Sequence, residues 1–227
     1  MKGSIVQKRA IEIYDTAAKL SPLKLYPSLE LVRLEKIFFK QKKGKLLEIG
    51  FGSGCNTIHM LKCGYDVYGI DVAHNALKRT TERIGKIKGV KKPKLKIISA
   101  NSKKLPFKDN TFDFILAMSV LSLLGSEDKI NNLLKEIQRV LKPNGKMIID
   151  INDQKSEFSY GKKIIKKNTF INKAYNKSFN TICLKNTREF EKLIRPYFMI
   201  IDVGFSSFRL FGREIREFII SCKNKKK

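Results

Sequence analysis

The chain has 227 residues, 42% of them hydrophobic, and carries 47 lysines and arginines against 21 acids, a formal net charge of +26. That length suits one domain with a modest lobe, and no apolar run approaches the ~20 residues that cross a bilayer. The N-terminus lacks the apolar stretch of a signal peptide, and four dispersed cysteines with two histidines are too sparse for a structural zinc site, so a cytoplasmic protein without a metal is expected.

Along the chain, an amphipathic segment with Ile5, Ile11, Ile13 and Leu20 leads to a turn bracketed by Pro22 and Pro27. LELVRLEKIFF at 29–39 has helical spacing, and KLLEI at 45–49 is a buried strand stopped by glycines. A helix follows over 55–62, then a strand at 65–70, a helix at 73–84, and strands at 95–99 and 112–118. Ser126 is placed to cap a helix through INNLLKEIQRVL that must end before Pro143, with Asn144-Gly145 turning into a fifth strand, GKMIIDI. This alternation predicts a parallel sheet covered on both faces. From 152 to about 185 the pattern breaks into a lysine-, asparagine- and aromatic-rich stretch, read as an insertion or a lid. Thr187 is expected to cap a last helix, TREFEKLIRPY, before two closing strands, FMIIDVGF and EIREFIISC. Four segments result: an N-terminal helical cap at 1–43, a nucleotide-binding-like core at 44–151, the 152–186 insertion, and a closing helix and hairpin at 187–227.

LLEIGFGSGCNT at 46–57 sets Gly50, Gly52 and Gly54 between a strand and a helix, where the backbone turns tightly and approaches a ligand closely. A nicotinamide-binding loop has the spacing GxGxxG, whereas here the third glycine comes one residue early. Glu48, just before the loop, would repel a pyrophosphate but suits a ligand bearing an ammonium group. Asp71 closes the second strand about 20 residues beyond the glycines, where a carboxylate can accept from both ribose hydroxyls. It is equally placed to cap the next helix.

Together, ExGxGxG at 48–54, Asp71, ISANSKKLPFKDNTFDFILAMSVL at 98–121 and LLKEIQRVLKPNGKMII at 133–149 resemble class I S-adenosylmethionine-dependent methyltransferases, in the type 11 and type 25 domain groups. The resemblance implies an α/β, Rossmann-like seven-stranded sheet, mostly parallel with a reversed last strand and helices on both faces. It implies S-adenosylmethionine as cofactor, held by Glu48, Gly50, Phe51, Gly52, Gly54, Asp71, Val72, Asn101, Ser102 and Met118. Asn101 stands where the family usually has an aspartate for the adenine amino group, with the Ser102 backbone N–H beside it. YPSLELVR at 26–33 and GREIREFIISCK near the end are similar to methyltransferases of surface-polysaccharide and small-molecule biosynthesis.

The resemblance thus points to methyl transfer onto oxygen or nitrogen of a small-molecule or glycan acceptor. The positive charge raises RNA as an alternative acceptor, but it is mostly lysine spread along the chain, and no NPPY-like motif follows the fourth strand. A nicotinamide oxidoreductase and a non-catalytic cofactor-binding protein rank below these. Ser119, Asp153 and Tyr14 are the catalytic candidates. Asp150 and Asn152 leave the fifth strand toward the same edge, and Tyr14 and Tyr26 are placed to close over the methionine end. His59 and His74 read as packing or surface residues, and Cys55 as lining of the glycine loop.

Overall fold

The computed structural model describes residues 2–20, 24–40, 43–99, 102–159, 162–210 and 212–226. Helix α1 (Lys2–Leu20) precedes α2 (Leu29–Leu34), which widens into a π-helical turn over Glu35–Phe39. The core then alternates: β1 (Lys45–Ile49), α3 (Cys55–Lys62), β2 (Asp66–Asp71), α4 (His74–Gly85), β3 (Lys94–Ile97), β4 (Phe112–Ala117), α5 (Glu127–Val140) and β5 (Leu141–Asn152). A three-stranded antiparallel sheet, β6 (Lys163–Lys166), β7 (Thr169–Ala174) and β8 (Lys177–Ile182), leads to α6 (Thr187–Ile194) and the long hairpin β9 (Phe198–Leu210) and β10 (Arg213–Asn224).

The main sheet has the order β3-β2-β1-β4-β5-β10-β9. β1 pairs in parallel with β2 and β4, and β4 with β5, while β10 runs antiparallel to both β5 and β9. The expected Rossmann-like sheet with one reversed strand is therefore present. Alternate residues of β1 feed opposite faces, as strand geometry requires. Leu47 and Ile49 enter one core with Ile130, Leu134, Ile137 and Val140 of α5, and Leu46 enters the other with Leu31, Phe38, Phe39 and Met60. The α5 stripe is fully buried at helical spacing, each side chain contributing roughly 1.5–3 kcal/mol.

Two local expectations need correcting. Asn186, not Thr187, caps α6: its side chain accepts from the Glu189 N–H. Asn144-Gly145 does not precede β5 but interrupts its register with β4 between Phe112 and Phe114, with Asn144 at φ +57°. The stretch read as an insertion carries the β6-β7-β8 sheet, whose Phe170, Phe179 and Ile182 are buried. Pro22 of the predicted turn lies outside the described residues. Among the described residues no helix is long and apolar enough to cross a membrane.

Candidate active site

The first loop of the parallel sheet runs from Ile49 to Cys55 at the carboxyl edge of β1, where open α/β sheets bind ligands. Gly52 holds φ +50°, and a Cβ built on it would meet nothing within 4 Å. Gly54, at φ +76°, is crowded instead: a Cβ there would lie 2.6 Å from Thr80 Cγ2. The loop is braced from α4, with Thr80 Oγ1 donating to the Gly52 carbonyl at 2.9 Å and Arg83 donating to the Ser53 carbonyl. Gly52 is thus held from behind and bare in front.

Asp71, at the end of β2, fixes the same loop. Its Oδ2 accepts from Gly52 N at 2.9 Å, and its Oδ1 from Val72 N and Ala73 N at 2.7 and 2.9 Å. A carboxylate offers about four acceptor positions, so a half-buried Asp71 retains capacity for a further donor. Burial pushes its carboxyl up, the three backbone N–H groups oppose that, and Asp15 adds repulsion. Glu48 is fully buried and accepts from Thr57 Oγ1. Burial raises its carboxyl to about 8, against the Thr57 bond and with help from the Asp71 charge. Asp71, bonded to Gly52 N, and the buried Glu48, two residues ahead of Gly50, thus stand at the loop that carries the open glycine.

The remaining cofactor candidates are placed as follows. Phe51 is buried against Ala73 and Ala76, and Met118 lies in the core with Leu116 and Ile148. Gly50 turns at φ +75° beside Val120. Asn101 lies outside the described residues. Ser102 is exposed, and its N–H donates to the Ser99 carbonyl, so that donor is already engaged. The LPF segment after it is pinned by Arg139 of α5, which donates to the Leu105 and Phe107 carbonyls and pairs with Glu136 and Asp109.

Of the catalytic candidates, Asp153 is buried with both oxygens taken, by Arg216 Nε at 3.0 Å and Lys155 N at 2.8 Å. It joins β5 to β10. Tyr14 donates to the Leu123 carbonyl at 2.9 Å and meets Phe179 edge-on, and burial drives its hydroxyl far above its ordinary range. Tyr14 thus ties α1 to the segment after β4. Tyr26 is 80% exposed. Ser119 is exposed, in the left-handed region at φ +58°, and its N–H donates to Asp150 Oδ1 at 2.7 Å. Cys55 is buried and donates to the Lys24 carbonyl, lining the loop from below.

Sequence reasoning missed two acids at this edge. Glu217 of β10 sits opposite Asn152 of β5, and Glu30 of α2 accepts from Ser206 Oγ at 2.6 Å. Glu30 lies in YPSLELVR and Glu217 in GREIREFIISCK, but nothing in either segment marks the acid; the packing of α2 and the strand order bring them near Asp150. Spacing could have flagged His59 and Cys63, one helical turn apart. Their Nε2 and Sγ are 3.6 Å apart, and with Glu35 they form the one group of three metal-capable donors among the described residues. Glu35 already accepts from Tyr65 at 2.8 Å. A groove of about 320 Å³ lined by Leu34, Ile37, Phe38 and Lys146 opens toward the amino end of β5, away from the glycine loop.

Residues 47–149 match the family model described as "Methyltransferase domain". A sterol 4-C-methyltransferase of Caenorhabditis elegans is 36% identical over 103 residues, 45% of this chain and 29% of that enzyme. The chain spans about half or less of the length of the curated relatives it matches. An S-adenosylmethionine-dependent methyltransferase structure from Methanosarcina mazei superposes with a TM-score of 0.72 at 21% identity, covering 84% of this chain and 98% of that one. The N-methyltransferase NodS from Bradyrhizobium japonicum, solved with S-adenosyl-L-homocysteine, gives 0.69 at 12% identity over 96% and 100% of the two chains.

Proposed function

We propose that this chain, a member of the class I S-adenosylmethionine-dependent methyltransferase family through its residues 47–149, transfers a methyl group from S-adenosylmethionine to an oxygen or nitrogen of a small-molecule or glycan acceptor. The observation that carries this reading is the bare Gly52 flanked by Asp71 and Glu48. The donor set fits the cofactor's two ends. Asp71 has acceptor capacity left for ribose hydroxyls, and Glu48 gains its charge most readily next to an ammonium. Relatives support an organic acceptor: among them are the sterol enzyme, a demethylmenaquinone methyltransferase of Geobacillus and the NodS N-methyltransferase.

When bound, the cofactor supplies an already activated methyl group on a sulfonium. The chain's work is then positional. Gly50, Gly52 and Gly54 shape the loop, Thr80 and Arg83 hold it still, and Asp71 links it to the start of α4. Helix α1 spans the carboxyl edge from Asn75 to Leu123 and limits the approach of water. A proton acceptor is needed only where the acceptor nitrogen or oxygen must lose a proton. Asp150 is better placed for that than Asp153, whose oxygens are both occupied.

Calorimetric titration with S-adenosylmethionine and, separately, NADH tests the reading. Binding of the methyl donor alone, weakened about tenfold or more by Asp71→Ala, is the expected result. No binding by the folded protein would sink it.

A further inference from the structure

Acids are scarce in this chain, yet three of its 21 gather at one place on the carboxyl edge of the sheet. Asp150 lies opposite Ile219, and Glu217 lies opposite both Asn152 and Ser206. Directly opposed residues of antiparallel strands point to the same face, so Asp150, Glu217 and Ser206 share the face that α2 covers. From α2, Glu30 reaches down to accept from Ser206 Oγ at 2.6 Å. The Ser119 backbone N–H donates to one oxygen of Asp150 at 2.7 Å.

This cluster is electrostatically incomplete. Asp150 is 1% exposed, and its Oδ2 is buried without a hydrogen-bond partner among the described residues. A buried acceptor left unpaired costs about 1–3 kcal/mol, more when charged. The carboxyls repel one another: Asp150 is raised by its burial and then by Glu217 and Glu30, and Glu217 by its burial and then by Glu30. Lys24 is near enough to pull both down but is exposed and forms no ion pair with any of the three. One metal ion does not fit, because the three carboxylates do not bring oxygens within 4.8 Å of one another as Glu35, His59 and Cys63 bring their donors. A phosphate or carboxylate ligand would meet like charge. What satisfies three separated acceptors is a group that is positive and carries several N–H donors.

The location ties this to the glycine loop. Asp150 follows Ile149, which pairs with Ala117 of β4, and β4 in turn pairs with β1, the strand that leads into Gly50. Asp150 on β5 therefore stands two strands from the loop strand β1, and Glu217 on β10 three strands from it, at the same edge of the sheet. We propose that Asp150, Glu217 and Glu30 form a subsite for an organic ammonium group, so that the acceptor class of this enzyme is a small amine. This rests on the methyltransferase reading above and narrows it from oxygen or nitrogen to nitrogen: the ammonium would first give one proton to a carboxylate of the cluster, Asp150, and the freed nitrogen lone pair would then form the N–CH3 bond as the S–CH3 bond breaks, its electron pair staying on the sulfur of the S-adenosylhomocysteine that leaves. Such a subsite selects against polyanions even though the rest of the surface is basic.

The test uses the full chain saturated with S-adenosylhomocysteine and ligand-observed NMR with three probes of matched length: n-butylammonium, 1-butanol and butyrate. Saturation transfer is expected to n-butylammonium and to fall about tenfold or more in Asp150→Asn/Glu217→Gln, while S-adenosylhomocysteine affinity stays near wild type. Should the double variant fail to fold, Glu30→Gln, on a half-buried helix position, is expected to lower the same signal severalfold. Equal transfer to butanol or butyrate, or an undiminished amine signal in a folded variant, would overturn the proposal. Failure of S-adenosylhomocysteine to bind folded wild-type protein would instead overturn the methyltransferase reading, so the two failures are told apart.

Discussion

Asp15 of α1 accepts from Asn75 N and Asn75 Nδ2, both at 2.7 Å, and thereby does for α4 what its own N-cap residue cannot. That position is Ala73, which has no side chain to cap with. Helix α1 is fastened to the site by this bond, by Arg79 donating to the Ala18 carbonyl, and by Tyr14 at its other side. Asp15→Ala is therefore expected to cost about 1 kcal/mol of stability, the usual value of a lost cap. Amides of α1 should also exchange faster than in wild type. Unchanged exchange over residues 2–20 would mean that α1 is held by other contacts.

Glu48 gives the site a pH dependence whose sign can be worked out. Its carboxyl titrates near 8 in the folded protein, against an ordinary 4.5. Between those values the folded state holds a proton that the unfolded chain has released, so the Glu48 contribution to stability falls as pH rises through that window. Glu48→Gln is expected to flatten this slope, which thermal unfolding from pH 5 to 8 would read. A ligand ammonium favours the ionised form, so cofactor binding at neutral pH should release a proton from wild type and not from the variant. Calorimetry in buffers of different ionisation enthalpy measures that release.

Much of the core was legible because parallel strands write themselves as short apolar runs. KLLEI and FDFILA are such runs, and the glycine loop and Asp71 sit between local elements whose spacing is fixed by the chain itself. The acidic cluster was not legible. Glu30, Asp150 and Glu217 are distant in sequence and meet because β10 inserts between β5 and β9 and α2 packs over them. The segment after β5 was hidden for another reason. Its strands bury polar residues such as Asn172 and Thr181 and expose apolar ones in the KIIK of β6, so no apolar period marks them. The capping error at α6 is smaller: Asn186 and Thr187 are adjacent and both suit the role.

Asp153 is expected to act through the fold and not through the ligand. Its side chain is 5% exposed and pairs with Arg216, which also stacks over Phe205 at 4.6 Å and pairs with Glu214. Removing one member of a buried pair strands the other, at a cost of roughly 3–5 kcal/mol. Arg216 is only partly buried, so the lower end is expected for Asp153→Ala in chemical denaturation. S-adenosylhomocysteine affinity should stay near wild type under conditions where the variant is folded. A large loss of affinity without loss of stability would return Asp153 to the list of site residues.

Two glycines of one loop should respond differently to the same change. At Gly54 an added methyl group would fall 2.6 Å from Thr80 Cγ2, with φ at +76°. Both strain and overlap act there, and Thr80 is the residue that holds the Gly52 carbonyl. Gly54→Ala should therefore destabilise the fold by more than the ~1–2 kcal/mol of left-handed strain alone. At Gly52 the methyl group meets no protein atom within 4 Å, so only the strain at φ +50° remains. That open volume is where the proposed cofactor approaches the backbone. Gly52→Ala should keep most of its stability while losing about tenfold or more in affinity for S-adenosylhomocysteine. Denaturation and calorimetry on the pair separate the outcomes: if Gly52→Ala binds normally, the ligand does not use the face of the loop that the protein leaves bare.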